Sequence, residues 1–423
     1  MKFLFVTNES LSADLAWQLK KEGHDVKMYC HGQGEKDVGL GFFEKVDEWD
    51  SLKDWADVMI FDDIGFGAKA EQLRNEGKFV VGGSVYTDKL ELDREFGQSE
   101  LNLVGVDVLP SWNFTSFDEA IEFVKKNPDR YVLKPSGKAQ NEKELLFIGQ
   151  EGDGKDIIQV LEHYKANWSK KIKEFQMQKF AEGVEIAVGA FFNGKDFVMP
   201  ICVNFEHKRL FPGDLGPSTG EMGTSIYWTK SNPVFERTLL KMKDKLVPSK
   251  YVGYVDINCI ANPKGIWPLE FTARFGFPTI SIQMEGITSD WGQFLFDIAH
   301  GNDTQLKAKK GYQVGVVVAI PPWPFEDEKA FKKYSEGATI LFRRQSLDGI
   351  HIGEVKLEEG DWHIAGNSGY ALVVTGSGAS MSDAIERAYQ SVRNVMIPNM
   401  FYRSDIGQRW THDSDLLLSW GYI

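Results

Sequence analysis

The chain has 423 residues, 42% of them hydrophobic, and carries a formal net charge of −13. That length suggests about three domains of ordinary size, with enough apolar residues for real cores. The acid excess excludes a nucleic-acid surface, which needs a basic stripe, and the lack of any apolar run of about 18 residues excludes a membrane span; phosphorylated ligands stay open, because local cationic clusters bind them in acidic proteins.

Met1-Lys2-Phe3-Leu4-Phe5-Val6 is too short for a signal-peptide core and runs straight into polar residues. Cys30, Cys202 and Cys259 are scattered without metal spacing and read as reduced core thiols of a cytoplasmic protein. Phe3–Val6 is a short apolar strand, and Ser12 is placed to cap a helix from Ala13 to Glu22 that Gly23 stops. Val26–Cys30, Val58–Phe61 and Phe79–Val81 read as further strands, with a helix around Ala68–Asn75 between the last two. Strands alternating with helices predict a parallel, Rossmann-like layer. Its first strand-to-helix turn, Thr7-Asn8-Glu9-Ser10-Leu11-Ser12, has no glycine, so the dinucleotide fingerprint is absent.

Arg94, in Asp93-Arg94-Glu95-Phe96, reads from the residues alone as a surface-helix residue. Tyr131 to Gly137 reads as a strand entering a loop, and a lysine at its apolar end, Lys134, suits a phosphate. Ile157–Trp168 has helical periodicity, and Glu174–Phe180 is a strand leading into Ala181-Glu182-Gly183-Val184-Glu185. Asn204 to Gly223 is loop-rich, with the basic triplet His207-Lys208-Arg209 ahead of four glycines that let backbone N–H groups approach an anion. Past residue ~310, Val314–Ile320, Thr339–Arg343, Ile350–Leu357 and Tyr370–Thr375 read as strands. A helix capped near Ser380 or Ser382 follows, its apolar stripe (Ala384, Ile385, Ala388, Tyr389, Val392, Val395) reading as core.

The most informative stretch is Tyr251 to Thr279, where two β-rich runs flank the turn residues Ala261-Asn262-Pro263-Lys264-Gly265. Alternation puts Glu270 with Thr272 on one face and Asp256 with Asn258 on one face. A turn centred on Pro263 sets Asp256 directly opposite Glu270. Facing like charges are unfavourable; either the two acids reach water, or a cation such as Mg²⁺ sits between them.

Leu269-Glu270-Phe271-Thr272-Ala273-Arg274-Phe275-Gly276 resembles the metal strand of the glycinamide ribonucleotide synthetase (phosphoribosylamine–glycine ligase) family, in the ATP-grasp superfamily, usually LEFNxRFGDPE. His207-Lys208-Arg209 with Gly213-Asp214-Leu215-Gly216-Pro217-Ser218-Thr219-Gly220-Glu221-Met222-Gly223 resembles its DHKR…GDxGPNTGGMG, and Met400-Phe401-Tyr402-Arg403-Ser404-Asp405-Ile406-Gly407 resembles its MFYRxDIG. Three long matches in order are far more specific than one short motif. The resemblance implies an α/β and α+β protein: a Rossmann-like N-terminal domain (1–95), an ATP-grasp domain (96–310) with a mobile lid subdomain at about 117–182, and an α+β C-terminal domain (311–423). It also implies an ATP-dependent, C–N bond-forming ligase of purine biosynthesis that transfers the γ-phosphoryl group to a carboxylate, lets an amine attack the acyl phosphate, and releases ADP and phosphate.

By resemblance, ATP is held by Arg94, Lys134 and Lys143, by the hinge residues Lys179, Phe180 and Ala181 at the adenine edge, and by Glu185 at the ribose. The missing glycine loop over the phosphates leaves Lys138 or Lys143 in its place, or a longer loop. Mg²⁺, or Mn²⁺ in its stead, falls to Asp256, Glu270 and Thr272, with Asn258 as a further candidate. His207, Lys208, Arg209, Asp214, Ser218, Thr219 and Arg274 line the substrate side, and Glu270, Arg274 and Lys134 are the expected catalytic residues. The implied partners are a small-molecule carboxylate and amine, in a monomer or homodimer, with no nucleic acid and no membrane. Departures mark the acceptor side: the family's glycine-rich first loop and its PExPL-like loop are gone, the latter replaced by Asp62-Asp63-Ile64-Gly65-Phe66-Gly67, and Phe277 stands where the family has Asp. These departures leave open a related ligase for another amine or amino acid; the missing glycine loop over the phosphates and Thr272 in place of the family's Asn leave open a nucleotide-binding protein without catalysis.

Overall fold

Five strands near the N-terminus make a parallel sheet in the order β3-β2-β1-β4-β5. They are β1 (Lys2–Thr7), β2 (Asp25–Cys30), β3 (Glu44–Val46), β4 (Val58–Phe61) and β5 (Val80–Val81). Phe3, Leu4 and Phe5 are fully buried, as a strand covered on both faces requires. The helix Ala13–Lys21 follows β1, and the chain leaves it through Gly23 at φ +86°, a left-handed position that favours glycine. The expected side-chain cap by Ser12 is not made: its hydroxyl is bonded to Asp62 instead. The computed structural model describes residues 1–136, 145–325 and 327–423. Lys138 and Lys143 lie outside the described residues.

Next come β6 (Ser111–Phe114), β7 (Tyr131–Pro135), β8 (Phe147–Ile148) and β9 (Phe175–Lys179), a small sheet ordered β6-β9-β7-β8. The helices Phe117–Lys126 and Lys155–Asn167 pack with it around Phe117, Val124, Leu133, Leu161 and Phe175.

The strands β10 (Val184–Asn193), β11 (Phe197–Glu206), β14 (Gly223–Thr229), β15 (Val252–Asn262), β16 (Gly265–Thr272) and β17 (Tyr312–Ala319) form most of an eight-stranded sheet. Between β11 and β14, β12 (Arg209–Phe211) and β13 (Leu215–Ser218) make a separate hairpin. β19 (Ile350–Ile352) and β22 (Tyr370–Gly378) complete the large sheet beyond β17, in the order β16-β15-β10-β11-β14-β17-β22-β19. The last part of the chain thus extends the central sheet. It also builds a four-stranded sheet, β20-β21-β18-β23, from β18 (Thr339–Phe342), β20 (Val355–Glu358), β21 (Asp361–Ile364) and β23 (Val395–Met396).

The single strand expected over Ile350–Leu357 is two strands in two different sheets. Gly353 marks the break: a Cβ there would collide with the carbonyls of Tyr370 and Ala371, so only glycine lets the chain cross over β22 at this point. No helix among the described residues is long and apolar enough to cross a membrane. All three cysteines are buried and free.

Candidate active site

The β15–β16 hairpin closes on the two residues Pro263-Lys264, with Asn262 facing Gly265 and Cys259 facing Pro268. Leu269 is then an extra residue, so Asn258 faces Glu270 and Asp256 faces Thr272. This corrects the expected opposition of Asp256 and Glu270. A shorter turn and a bulge together displace the register beyond the bulge by two residues, an even number, so Glu270 and Thr272 keep their face. Gln98 holds the bulge, its Nε2 donating to the carbonyls of Pro268 (3.2 Å) and Leu269 (3.1 Å).

The same face continues across β10 and β11. Ala187 pairs with Asn258 on one side and Asn204 on the other, so Glu185, two residues before Ala187, and Glu206, two residues after Asn204, point the same way. Gly189 lies opposite Asp256, where a Cβ would collide with the Tyr254 ring and the Asp256 carboxylate. That space is taken by a small network: Asn204 Nδ2 (2.8 Å) and the Tyr254 hydroxyl (3.1 Å) both donate to Asp256 Oδ2.

Lys208 reaches onto this face and becomes its centre. Its Nζ lies 2.8 Å from Glu185, 3.1 Å from Glu206 and 3.5 Å from Glu270. Burial alone would discharge the amine, but Glu185, Glu206 and Glu270 outweigh it and hold Lys208 well above the ordinary lysine range. Burial also works against Glu270, yet Lys208, Arg94 and Lys134 bring its carboxyl down to about 2. Two cations from other elements therefore act on the hairpin. Lys134, on β7, donates to Gln178 Oε1 at 2.8 Å, and burial together with neighbouring Arg94 lowers it to about 8. Arg94 opens the helix Arg94–Leu103 and donates to the Pro135 carbonyl at 3.2 Å.

Burial and the nearby Glu206 push Asp256 up to about 7, while burial raises Glu206 itself against the pull of Lys208. Asn258 Nδ2 donates to Glu206 at 2.8 Å, leaving its buried Oδ1 without a hydrogen-bond partner among the described residues. Carboxylate and amide oxygens are the hard donors that Mg²⁺ takes, and an orphaned acceptor facing Glu270 fits such an ion. Among the described residues, the one group of His, Cys, Asp and Glu whose ligand atoms gather within 4.8 Å is Glu22, His24 and Asp290, not the hairpin acids. Sequence reasoning missed Glu206 altogether; its one signal was its place two residues before Lys208.

The remaining expected site residues fall into three groups. Arg274 is tied to Glu91 (Nε to Oε1, 3.1 Å) and to the Phe275 carbonyl (2.9 Å), and the other Glu91 oxygen accepts the Ala273 N–H at 2.7 Å. At the hinge, the N–H groups of Lys179 and Phe180 already donate to the carbonyls of Pro110 and Arg130, both at 2.9 Å, and the Lys179 amine pairs with Asp129 at 2.6 Å. What this leaves for an adenine edge is carbonyls and the Ala181 backbone. The Phe180 ring lies 3.5 Å under the Arg130 guanidinium.

In the basic triplet, only Lys208 faces the acids. His207 is buried and lowered to about 3 by burial and the charges of Arg409 and Arg403, so it is neutral. Arg209 donates to the Gly216 carbonyl at 3.0 Å across the β12–β13 hairpin, where it pairs with Ser218. Thr219 is buried, its N–H (2.7 Å) and hydroxyl (2.9 Å) both donating to the Lys208 carbonyl. Asp214 accepts from Arg403 at 2.9 Å, and Arg403 also forms two parallel 2.8 Å bonds to Asp405. The loop around residue 403 therefore anchors the hairpin that carries the triplet's strand.

The mouth of the first β–α turn is acidic; Asp62 and Asp63 are each engaged through one oxygen, and the buried Oδ1 of Asp62 has no partner among the described residues. Asp63 accepts from the Asn8 N–H (2.8 Å) and the Thr7 hydroxyl (3.4 Å); Asp62 accepts from the Ser12 N–H (3.1 Å) and hydroxyl. Lys45 reaches it, bonded to the Val38 carbonyl (2.8 Å) and Ser10 (3.3 Å), and Arg274 feels the charges of Asp63 and Asp62.

Comparison with known proteins gives the family and the fold. Residues 93–280 match the family described as phosphoribosylglycinamide synthetase, ATP-grasp (A) domain, and residues 313–409 match its C domain. The chain is similar to the phosphoribosylamine–glycine ligase of Streptococcus suis, 25% identical over 363 residues and 82% of each chain. It is also similar to that of Clostridium acetobutylicum, 23% identical over 96% of this chain and all of the other. Among solved structures, the phosphoribosylamine–glycine ligase of Thermotoga maritima superposes with a TM-score of 0.71 at 21% identity, covering 96% of this chain and 100% of that one.

Proposed function

The chain belongs to the phosphoribosylglycinamide synthetase family of the ATP-grasp superfamily, and on that premise we propose that it is an ATP-dependent carboxylate–amine ligase of the phosphoribosylamine–glycine ligase type. The observation that carries the reading is the charge balance around Glu270: a carboxylate held at about 2 by Lys208, Arg94 and Lys134 at one face of the central sheet. In this reading Lys134 and Arg94 hold the nucleotide phosphates, Glu185 accepts from the ribose hydroxyls, and the chain around Lys179 to Ala181 meets the base. Glu270 and the free oxygen of Asn258 are the first metal ligands, with Asp256 and Thr272 beside them. Mg²⁺, or Mn²⁺, bound there supplies neutralising charge to the phosphates.

The reaction then needs positioning and electrostatics more than covalent chemistry by the protein. A substrate carboxylate oxygen bonds to the γ-phosphorus as the bond to the ADP oxygen breaks. The amine nitrogen next attacks the acyl carbon, phosphate leaves, and the amide remains. Arg274, fixed by Glu91, steadies the anionic carboxylate or its acyl phosphate; Lys208, Arg209 and the 213–223 loop line the substrate side. The division 1–95, 96–310 and 311–423, with a lid at about 117–182, belongs to the same proposal, as do a cytoplasmic location and a monomeric or dimeric state.

A second reading, a different amine acceptor, is favoured by the first β–α turn. Backbone N–H groups at a helix N-terminus are where an anion binds, but here those of Asn8 and Ser12 are already bonded to Asp63 and Asp62. ADP release tests both readings. Turnover with glycine and phosphoribosylamine at ordinary enzyme rates sinks the second. Turnover only with other amines sinks the narrow form of the first. ATP binding with no turnover on any acid–amine pair sinks both.

A further inference from the structure

A second basic locus lies away from the ligase face. A concavity of about 700 Å³ opens where β18 and β23 end, lined by Arg343, Arg344, Gln390, Arg393, Asn394 and Tyr402 among others, with no acid in its wall. The three arginines are exposed, and among the described residues none of their guanidinium groups has an acidic partner.

The floor beneath them is fixed. Phe342 and Val395 pair across β18 and β23. The Arg343 N–H donates to the Asn394 carbonyl at 2.9 Å and the Arg344 N–H to Asn394 Oδ1 at 2.7 Å. The Asn394 amide in turn donates to the Ser346 carbonyl at 3.0 Å. Adjacent arginines in a strand point to opposite sides, yet the chain is leaving the strand here and both reach the same hollow.

The hollow lies on the reverse side of the central sheet from Glu270. Thr375 shares the face of Thr224 and Glu206 through the registers of β17, β14 and β11. Gly376 therefore points the other way, and a Cβ on it would strike the backbone of Ala384 and Ala388. The helix Met381–Val392 thus covers the opposite face, and Arg393 closes its C-terminal end.

Three like charges around one hollow repel each other, in a chain whose 61 acids outnumber its 48 Lys and Arg. An arginine at a helix C-terminus is favourable by itself, which accounts for Arg393 but not for Arg343 and Arg344. Planar guanidinium forks match phosphate oxygens, and the partly exposed Tyr402 ring offers a flat wall beside them. We propose that this concavity is a binding site for a small phosphorylated anion, separate from the ATP site.

The test is titration calorimetry of inorganic pyrophosphate into the full chain, preloaded with Mg²⁺ and a nonhydrolysable ATP analogue. Saturable one-site heat is expected, weakening as salt rises, with affinity at least tenfold lower in R343E/R393E and ADP release at the ATP site unchanged. R343Q/R344Q/R393Q, which removes charge without reversing it, is expected to lose the same heat and serves if the first variant misfolds. No saturable heat in the unmodified chain, heat abolished by the ATP analogue, or heat surviving in a folded variant overturns the proposal.

Discussion

The face around Glu270 and the mouth of the first β–α turn are both crowded with acids, but the two crowds are held by different partners. Around Glu270 the counter-charges are side chains from three separate elements: Lys208 after β11, Lys134 on β7 and Arg94 at a helix start. At the mouth, Asp62 and Asp63 each accept the chain's own N–H and hydroxyl groups on one oxygen, and burial with the neighbouring Asp63 pushes Asp62 up to about 8. Mobile ammonium groups can be exchanged for a metal and a triphosphate, whereas backbone donors cannot move. The first region is built to trade partners and the second to keep them.

The largest effect that would break this contrast is catalytic. Glu270→Gln removes the charge while keeping the shape, and ADP release is expected to fall by at least about a hundredfold with an unchanged circular dichroism spectrum; retained activity removes Glu270 from the mechanism. Lys208→Met leaves three carboxylates facing each other without their cation. Breaking a fully buried pair costs about 3–5 kcal/mol, but Glu270 is 46% exposed, so about 2 kcal/mol is expected in urea unfolding. A gain in stability would show that Lys208 is not the clamp.

Acid–base behaviour sharpens the comparison next. Lys134 is lowered to about 8 by burial and Arg94, so it loses its proton, and its hold on an anion, as pH rises through that value. The kcat/KM for ATP, which reports the free enzyme, is expected to fall by up to about tenfold per pH unit above 8, and Lys134→Met is expected to lack that limb. The smallest effect belongs to the mouth. Asp63→Asn keeps an acceptor oxygen for Asn8, and a loss of about 1 kcal/mol or less is expected in urea unfolding. A loss above about 3 kcal/mol would mean that the carboxylate charge, not its geometry, holds the turn.

Much of the fold was legible because it is local. Alternating apolar runs and helices announced the N-terminal parallel sheet, and Val58–Phe61 has the bounds read from sequence. The faces of the hairpin were legible too, since alternation alone puts Asp256 with Asn258 and Glu270 with Thr272. Which residue opposes which was not, because neither a two-residue turn nor an extra Leu269 leaves a mark in composition. Lys208 could not be singled out from its triplet: its partners Glu185 and Glu206 meet it only through pairing of β10 with β11, and Glu270 only through β15 and β16. The split of Ile350–Leu357 hid in one glycine whose reason lies seventeen residues on, at Tyr370. The roles of Asp62 and Asp63 were equally hidden, since sequence marks an acid but not what donates to it.

The extra residue at Leu269, gripped by Gln98, sets a parity rule for the hairpin. With the turn and the bulge kept as they are, lengthening or shortening the segment between Asn258 and Glu270 by one residue would rotate Glu270 into the packed side of the sheet and bring an apolar neighbour out. A change of two would leave the acid pointing at Lys208 and move it only along the strand. An odd change in this segment therefore keeps Glu270 on its face only where the turn or the bulge at Leu269 takes it up.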